Sequence, residues 1–189
     1  MIAIALCGLP GTGKSTLARA LGLALRCPVL DKDRVREALF GPAFTAFSQD
    51  QDDHCCRVLH QTAAWLARHG RGDGTACEHV VLDGRTYSKA KHVGDLVQAA
   101  SDLGFDVAFV ECTAPSEVVE ARLEHDRRTG AHAARDRTVE LYRRLARERE
   151  PLSVPHLWID THRDSLDAQA ARVLEHVRSL ATRGHRSQP

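Results

Sequence analysis

The 189 residues carry 26 Lys and Arg against 25 Asp and Glu, a net charge of +1, and 43% are hydrophobic. That length and apolar content suit one domain with a real core. The balanced charge excludes an overall basic footprint for nucleic acid and leaves room only for a local patch.

The first run, IAIALC over residues 2–7, predicts a buried strand. It is far too short to span a bilayer, and no basic leader precedes it. Residues 15–26 predict a helix with Leu17, Leu21 and Leu25 on one face. Residues 28–31 predict a second strand. Residues 33–40 predict a short helix stopped by Gly41-Pro42. Residues 49–69 predict a long helix with Cys55, Val58, Leu59, Thr62 and Leu66 inward and Trp65 as core or pocket wall. After a loop at 71–74 come a strand (79–83), a helix (89–103), a strand (106–111) and a helix opening at Pro115 and running to 124, where proline is tolerated. A basic, glycine-containing interruption covers 127–136. A helix (138–149), a strand (157–160) and a last helix with Ser165 as its N-cap complete the chain. This alternation predicts an α/β fold with a mainly parallel sheet. A single domain over 1–182 is expected, with a flexible tail at 183–189.

The six cysteines are Cys7, Cys27, Cys55, Cys56, Cys77 and Cys112, with no C-x-x-C pair. They read as reduced, mostly buried thiols of a cytosolic protein. Asp53, His54, Cys55, Cys56 and His60 form no set at metal-ligand spacing, because adjacent cysteines on a helix diverge by about 100°.

Directly after the first strand stands GLPGTGKST. Gly8-x-x-x-x-Gly13-Lys14-Ser15 is the P-loop spacing. Gly8, Gly11 and Gly13 let the backbone fold its N–H groups inward into an anion nest. The helix that follows adds its positive end. Lys14 is placed for the β- and γ-phosphates, Ser15 for Mg²⁺, and Thr12 and Thr16 complete the contacts to the phosphates. The ligand expected is a nucleoside triphosphate.

Asp31-Lys32-Asp33-Arg34-Val35-Arg36 ends the second strand, on the edge where parallel sheets bind ligands. With the P-loop, Asp33 and Arg36 resemble the P-loop kinases that phosphorylate hydroxyls. These are AAA-type ATP-binding domains such as adenylylsulfate kinase, gluconate kinase, chloramphenicol phosphotransferase and the kinase domain of polynucleotide kinase. The resemblance implies a five-stranded parallel sheet of order 2-3-1-4-5 with an arginine-bearing helical lid, here about 124–137. It also implies ATP and Mg²⁺ as cofactors, Asp33 facing the acceptor hydroxyl, and Arg36 holding the acceptor.

Other residues fall into place around these. Asp83 ends an apolar strand and is a second candidate for the metal. Arg85 follows as a further substrate clamp. Asp31 either supports Asp33 or helps to hold metal. Within the lid, Arg127 and Arg128 are expected to close on the phosphates, with Arg122 near the lid's start and Arg135 as a substrate contact. Thr161 and Arg163 occupy the position where the resembling kinases hold adenine. Phe40, Phe44 and Phe47 either line the acceptor pocket or belong to the core, and core is the preferred reading.

The function expected is an ATP-dependent phosphotransferase acting on a small-molecule alcohol, with the catalytic set Lys14, Asp33, Arg127 and Arg128. A polynucleotide 5′-hydroxyl kinase is the first alternative, set back by the neutral charge. A regulatory nucleotide-binding module is the second.

Overall fold

In the computed structural model, which describes residues 1–129 and 137–184, strand β1 (Ile2–Cys7) is buried at all six positions. A strand apolar on both faces belongs inside a parallel sheet covered by helices. It pairs in parallel with β3 (His79–Asp83) on one side and β4 (Asp106–Thr113) on the other. The short β2 (Val29–Asp31) and β5 (His156–Asp160) close the edges. The order is β2-β3-β1-β4-β5, all parallel, as the resemblance implied.

Period-two alternation in β1 divides the core into two layers. Ile2, Ile4 and Leu6 pack with Leu17 and Leu21 of α1 (Lys14–Leu25) and with Val173 and Val177 of α7 (Leu166–Gly184). Ala3, Ala5 and Cys7 pack with Leu59 and Ala63 of α3 (Gln49–His69) and Leu96 of α4 (Ala90–Leu103). A third cluster joins Leu9 of the P-loop to Val119 and Leu123 of α5 (Ser116–Thr129) and Tyr142 of α6 (Val139–Glu148). α5 and α6 are thus packed onto the P-loop itself. Among the described residues no helix is long and apolar enough to cross a membrane.

Several elements depart from expectation. The helix after β2 is broken at Gly41, as expected, but a second helical piece follows directly in the same element. α2 (Lys32–Phe44) bends there, with Gly41 at φ 58 and ψ −177, and Pro42 opens a short second piece. α5 runs through Arg127 and Arg128 to Thr129, where an interruption was expected, and residues 130–136 lie outside the described part. α7 extends to Gly184, past the expected end at 182, and residues 185–189 lie outside the described part. The expected N-cap of α7 is present, with the Ala168 N–H donating to Ser165 Oγ at 3.3 Å.

The aromatic residues after the kink are not core. Phe44 is 77% exposed and Phe47 48%, while Phe40 is half-buried against His54. Trp65 is 53% exposed and stacks on His69. Ala63, Ala64 and His60 take the inward face instead, because small side chains let α3 lie close to Ala3 and Ala5.

Candidate active site

The P-loop closes tightly against the sheet. Gly8 has φ +132, and a Cβ there would stand 2.3 Å from the carbonyl oxygen of Cys112. No other residue fits that approach. Gly13, at φ 87, caps α1 without any side-chain hydrogen bond, so the first N–H groups of α1 have no side chain to satisfy them. Free amides at a helix start are an anion site. Lys14 is buried and its Nζ donates to Leu9 O at 2.9 Å. Burial and the nearby charge of Arg137 push its pKa down to about 8, against the opposing pull of Asp83. Thr12 is spent inside the loop: its hydroxyl donates to Leu9 O at 2.8 Å.

Two cavities meet at this loop. The first, about 660 Å³, has Lys14 and Ser15 at one end and Asp33, Arg36 and Arg85 on its wall. The second, about 470 Å³, runs the other way past Gly11, Gly13, Thr16 and Thr161. Lys14, Ser15 and Arg137 border both.

Asp33 reaches the first cavity because Asp31 takes the capping role. The Asp31 carboxylate accepts from the Asp33 N–H at 2.8 Å and from the Arg34 N–H at 3.5 Å. Burial and the facing charge of Asp83 raise the pKa of Asp31. Asp33 is left to bond through its side chain elsewhere: Arg36 Nη1 donates to its Oδ1 at 2.6 Å, and Lys32 Nζ lies 3.4 Å away. Burial raises its pKa, but the cations Lys32 and Arg36 and the Arg36 hydrogen bond outweigh it, and the net shift is downward. Asp33 is therefore a carboxylate at neutral pH.

Helix α3 supplies counter-charges on the far wall. Asp52 accepts from Lys32 at 2.9 Å and from Arg36 in a very short contact. Asp53 accepts from Arg85 Nη2 at 2.6 Å, and Cys56 Sγ accepts from Arg85 Nη1 at 3.1 Å. Arg85 is thus buried, and so is Arg36 at 3% exposure. Both keep a buried Nε with no partner among the described residues. Lys89, Lys91 and Arg144 add to the same wall, where positive side chains outnumber negative ones.

Asp83 is 3% exposed, and its Oδ1 has no hydrogen-bond partner among the described residues. A buried carboxylate oxygen left bare suits a cation or its water shell. Asp83 borders neither cavity, but its charge bears on the neighbouring Lys14, and with Ser15 at the cavity junction the donor chemistry suits a magnesium ion.

The lid arginines divide. Arg127 and Arg128 are exposed on the last turn of α5 and border neither cavity. Arg135 lies outside the described residues. Arg122 is held inward, donating to Thr161 Oγ1 and O, both at 3.1 Å, and to Gly11 O at 3.4 Å. Arg163 is exposed and off the second cavity, whose wall there is Thr161, Asp164, Leu166 and Gln169. Sequence reasoning passed over Lys32, Asp52, Arg137 and Arg144. Arg137 stood in the basic segment with nothing to separate it from its neighbours.

A family model described as an AAA domain matches residues 4–152. The chain belongs to this AAA domain family. Three solved structures share the architecture of this AAA domain. One is a candidate kinase from Chloroflexus aurantiacus, at 23% identity and TM-score 0.72 over 93% of this chain and 97% of that one. Another is the APS kinase of Mycobacterium tuberculosis in complex with AMPPNP and APS, at 25% identity and TM-score 0.67 over 92% and 95%. The third is a gluconokinase from Sinorhizobium meliloti, at 20% identity and TM-score 0.67 over 98% and 97%. Among curated proteins none matches. The fold is that of a P-loop kinase.

Proposed function

We propose that this AAA domain is an ATP-dependent kinase that phosphorylates a hydroxyl of a small molecule, anionic or polyhydroxylated. One observation carries the reading: a carboxylate, Asp33, and the P-loop lysine open onto a single cavity from opposite elements. A nucleotide switch has no need of that second group.

Phosphoryl transfer depends on positioning and charge stabilisation more than on covalent chemistry by the protein. The P-loop amides and Lys14 grip the β- and γ-phosphates. Asp33 accepts a hydrogen bond from the acceptor hydroxyl and aims its oxygen at the γ-phosphorus. The new P–O bond forms as the bond to the β–γ bridging oxygen breaks, and ADP leaves with that electron pair. The hydroxyl proton passes to Asp33 late, when the attacking oxygen has become acidic, and then to solvent. Arg36 and Arg85 hold the acceptor through guanidinium edges. Magnesium, held by Ser15 and Asp83, would neutralise charge between the β- and γ-phosphates.

The test is a mass-spectrometric screen of hydroxyl metabolites, with a 5′-hydroxyl oligonucleotide as one arm, for any compound that gains a phosphate. Asp33→Asn is expected to lower kcat by about 10²–10⁴-fold while ATP affinity holds, since Arg36 keeps Asp52. Undiminished turnover in Asp33→Asn, or ATP hydrolysis that no acceptor accelerates, overturns the reading. Transfer to the oligonucleotide with a steep salt dependence replaces it with the polynucleotide alternative.

A further inference from the structure

The second cavity has a wall group that phosphate chemistry does not use. Gln169, in the first turns of α7, is 5% exposed and borders this cavity. Its Nε2 donates to the carbonyl of Asp164 at 2.8 Å. A carbonyl only accepts, so this bond fixes which way round the amide sits. Oε1 is thereby the acceptor end of the amide.

Two neighbours say what shape of ligand belongs beside it. The Arg122 guanidinium is pinned by its contacts to Gly11 and Thr161, which leaves a planar face for stacking. Leu166, at the start of α7, brings an apolar side chain to the same cavity. A flat aromatic ring with a hydrogen-bond donor on its edge satisfies all three.

We propose that Gln169 selects the nucleobase, accepting through Oε1 from the exocyclic amine of adenine. The inference rests on the proposed kinase reading, under which a triphosphate held by the P-loop at the junction leaves this second cavity for the base. Adenine presents an amine at its six-position, whereas guanine and hypoxanthine present a carbonyl oxygen. That oxygen would face Oε1 as acceptor against acceptor, which is discrimination by repulsion as well as by a lost bond.

Calorimetric titration of the full chain with magnesium complexes of ATP, inosine triphosphate and the triphosphate of unsubstituted purine tests this without any acceptor. The wild type is expected to bind ATP about tenfold or more tighter than inosine triphosphate, with the unsubstituted purine between. Gln169→Leu is expected to bring the ATP-to-inosine ratio within about threefold, through weaker ATP binding. A role confined to bracing the Asp164 turn would weaken both nucleotides alike and leave the ratio intact. Equal wild-type affinities, or a ratio that survives in Gln169→Leu, overturn the assignment. The wild-type comparison stands even if the variant fails to fold. Binding without base preference removes Gln169 alone; no binding of any triphosphate removes the nucleotide reading with it.

Discussion

Lys14 shows how a residue is held ready for a ligand at a cost. Its ammonium is buried beside Arg137, and its pKa falls from 10.5 to about 8. Below pH 8 both the folded and the unfolded chain carry the proton, and folding bears the full cost of burying it, about 3 kcal/mol. Between 8 and 10.5 the folded chain releases the proton and the unfolded chain keeps it, so this contribution to stability improves as pH rises. A triphosphate supplies the missing counter-charge. ATP affinity is therefore expected to be level with respect to Lys14 up to about pH 8. Above that it should weaken by up to about tenfold per pH unit, as the binding-competent proton is lost. Titration calorimetry across pH 7.5–9.5 reads this directly. In Lys14→Met the slope should vanish together with the binding, and the melting temperature of the ligand-free protein should not fall. A steep slope surviving in the variant, or a strongly lowered melting temperature, would contradict the account.

At the scale of elements, the bend in α2 is a test of how backbone geometry shapes the acceptor side. Gly41 combines φ 58 with ψ −177, a region open in practice to glycine alone, and a Cβ there would meet nothing within 4 Å. The cost of Gly41→Ala is thus conformational, with no clash to relieve it, about 1–3 kcal/mol. It should appear as a lower denaturant midpoint with unchanged m-value. The bend also places Phe47, whose ring lies 5.4 Å from the Arg36 guanidinium at the cavity wall. The acceptor KM should therefore rise in Gly41→Ala while ATP affinity stays. These elements also show what a sequence can and cannot say. The P-loop was legible because phosphate chemistry dictates its glycine spacing. The strands were legible because both-face burial forces unbroken apolar runs. Asp33 and Arg36 were legible as a pair through the resemblance to P-loop kinases, at the end of a strand where parallel sheets bind ligands. The roles of Asp52 and Asp53 were not. Their apposition to Arg36 and Arg85 depends on how α3 is rotated against the sheet, where Ala63 and Ala64 lie inward beside Leu59. Phe44 and Trp65 misled for a related reason: large apolar side chains mark a core only where the backbone leads them to one.

For the whole molecule, the decisive feature is that two cavities share one boundary. Lys14, Ser15 and Arg137 border both, and the charge of Arg137 lowers the pKa of Lys14 on one side and of Asp33 on the other. In the proposed reaction this guanidinium, which borders both cavities and acts on the charge of both Lys14 and Asp33, is the cation placed to meet the phosphoryl group. Charge that develops there during transfer is best met by a fixed cation. Arg127 and Arg128, expected from sequence to do this, point to solvent instead. Alanine substitution therefore sorts the three. Arg137→Ala is expected to lower kcat by about 10²–10³-fold, with a smaller effect on ATP affinity. Arg127→Ala and Arg128→Ala should each stay within about threefold of the wild type, as for surface substitutions. Steady-state kinetics with the acceptor found in the screen decides between them. If Arg127 or Arg128 proved to carry the large kcat effect and Arg137 little, α5 would have to turn its last turn inward during catalysis. The junction would then belong to a different arginine.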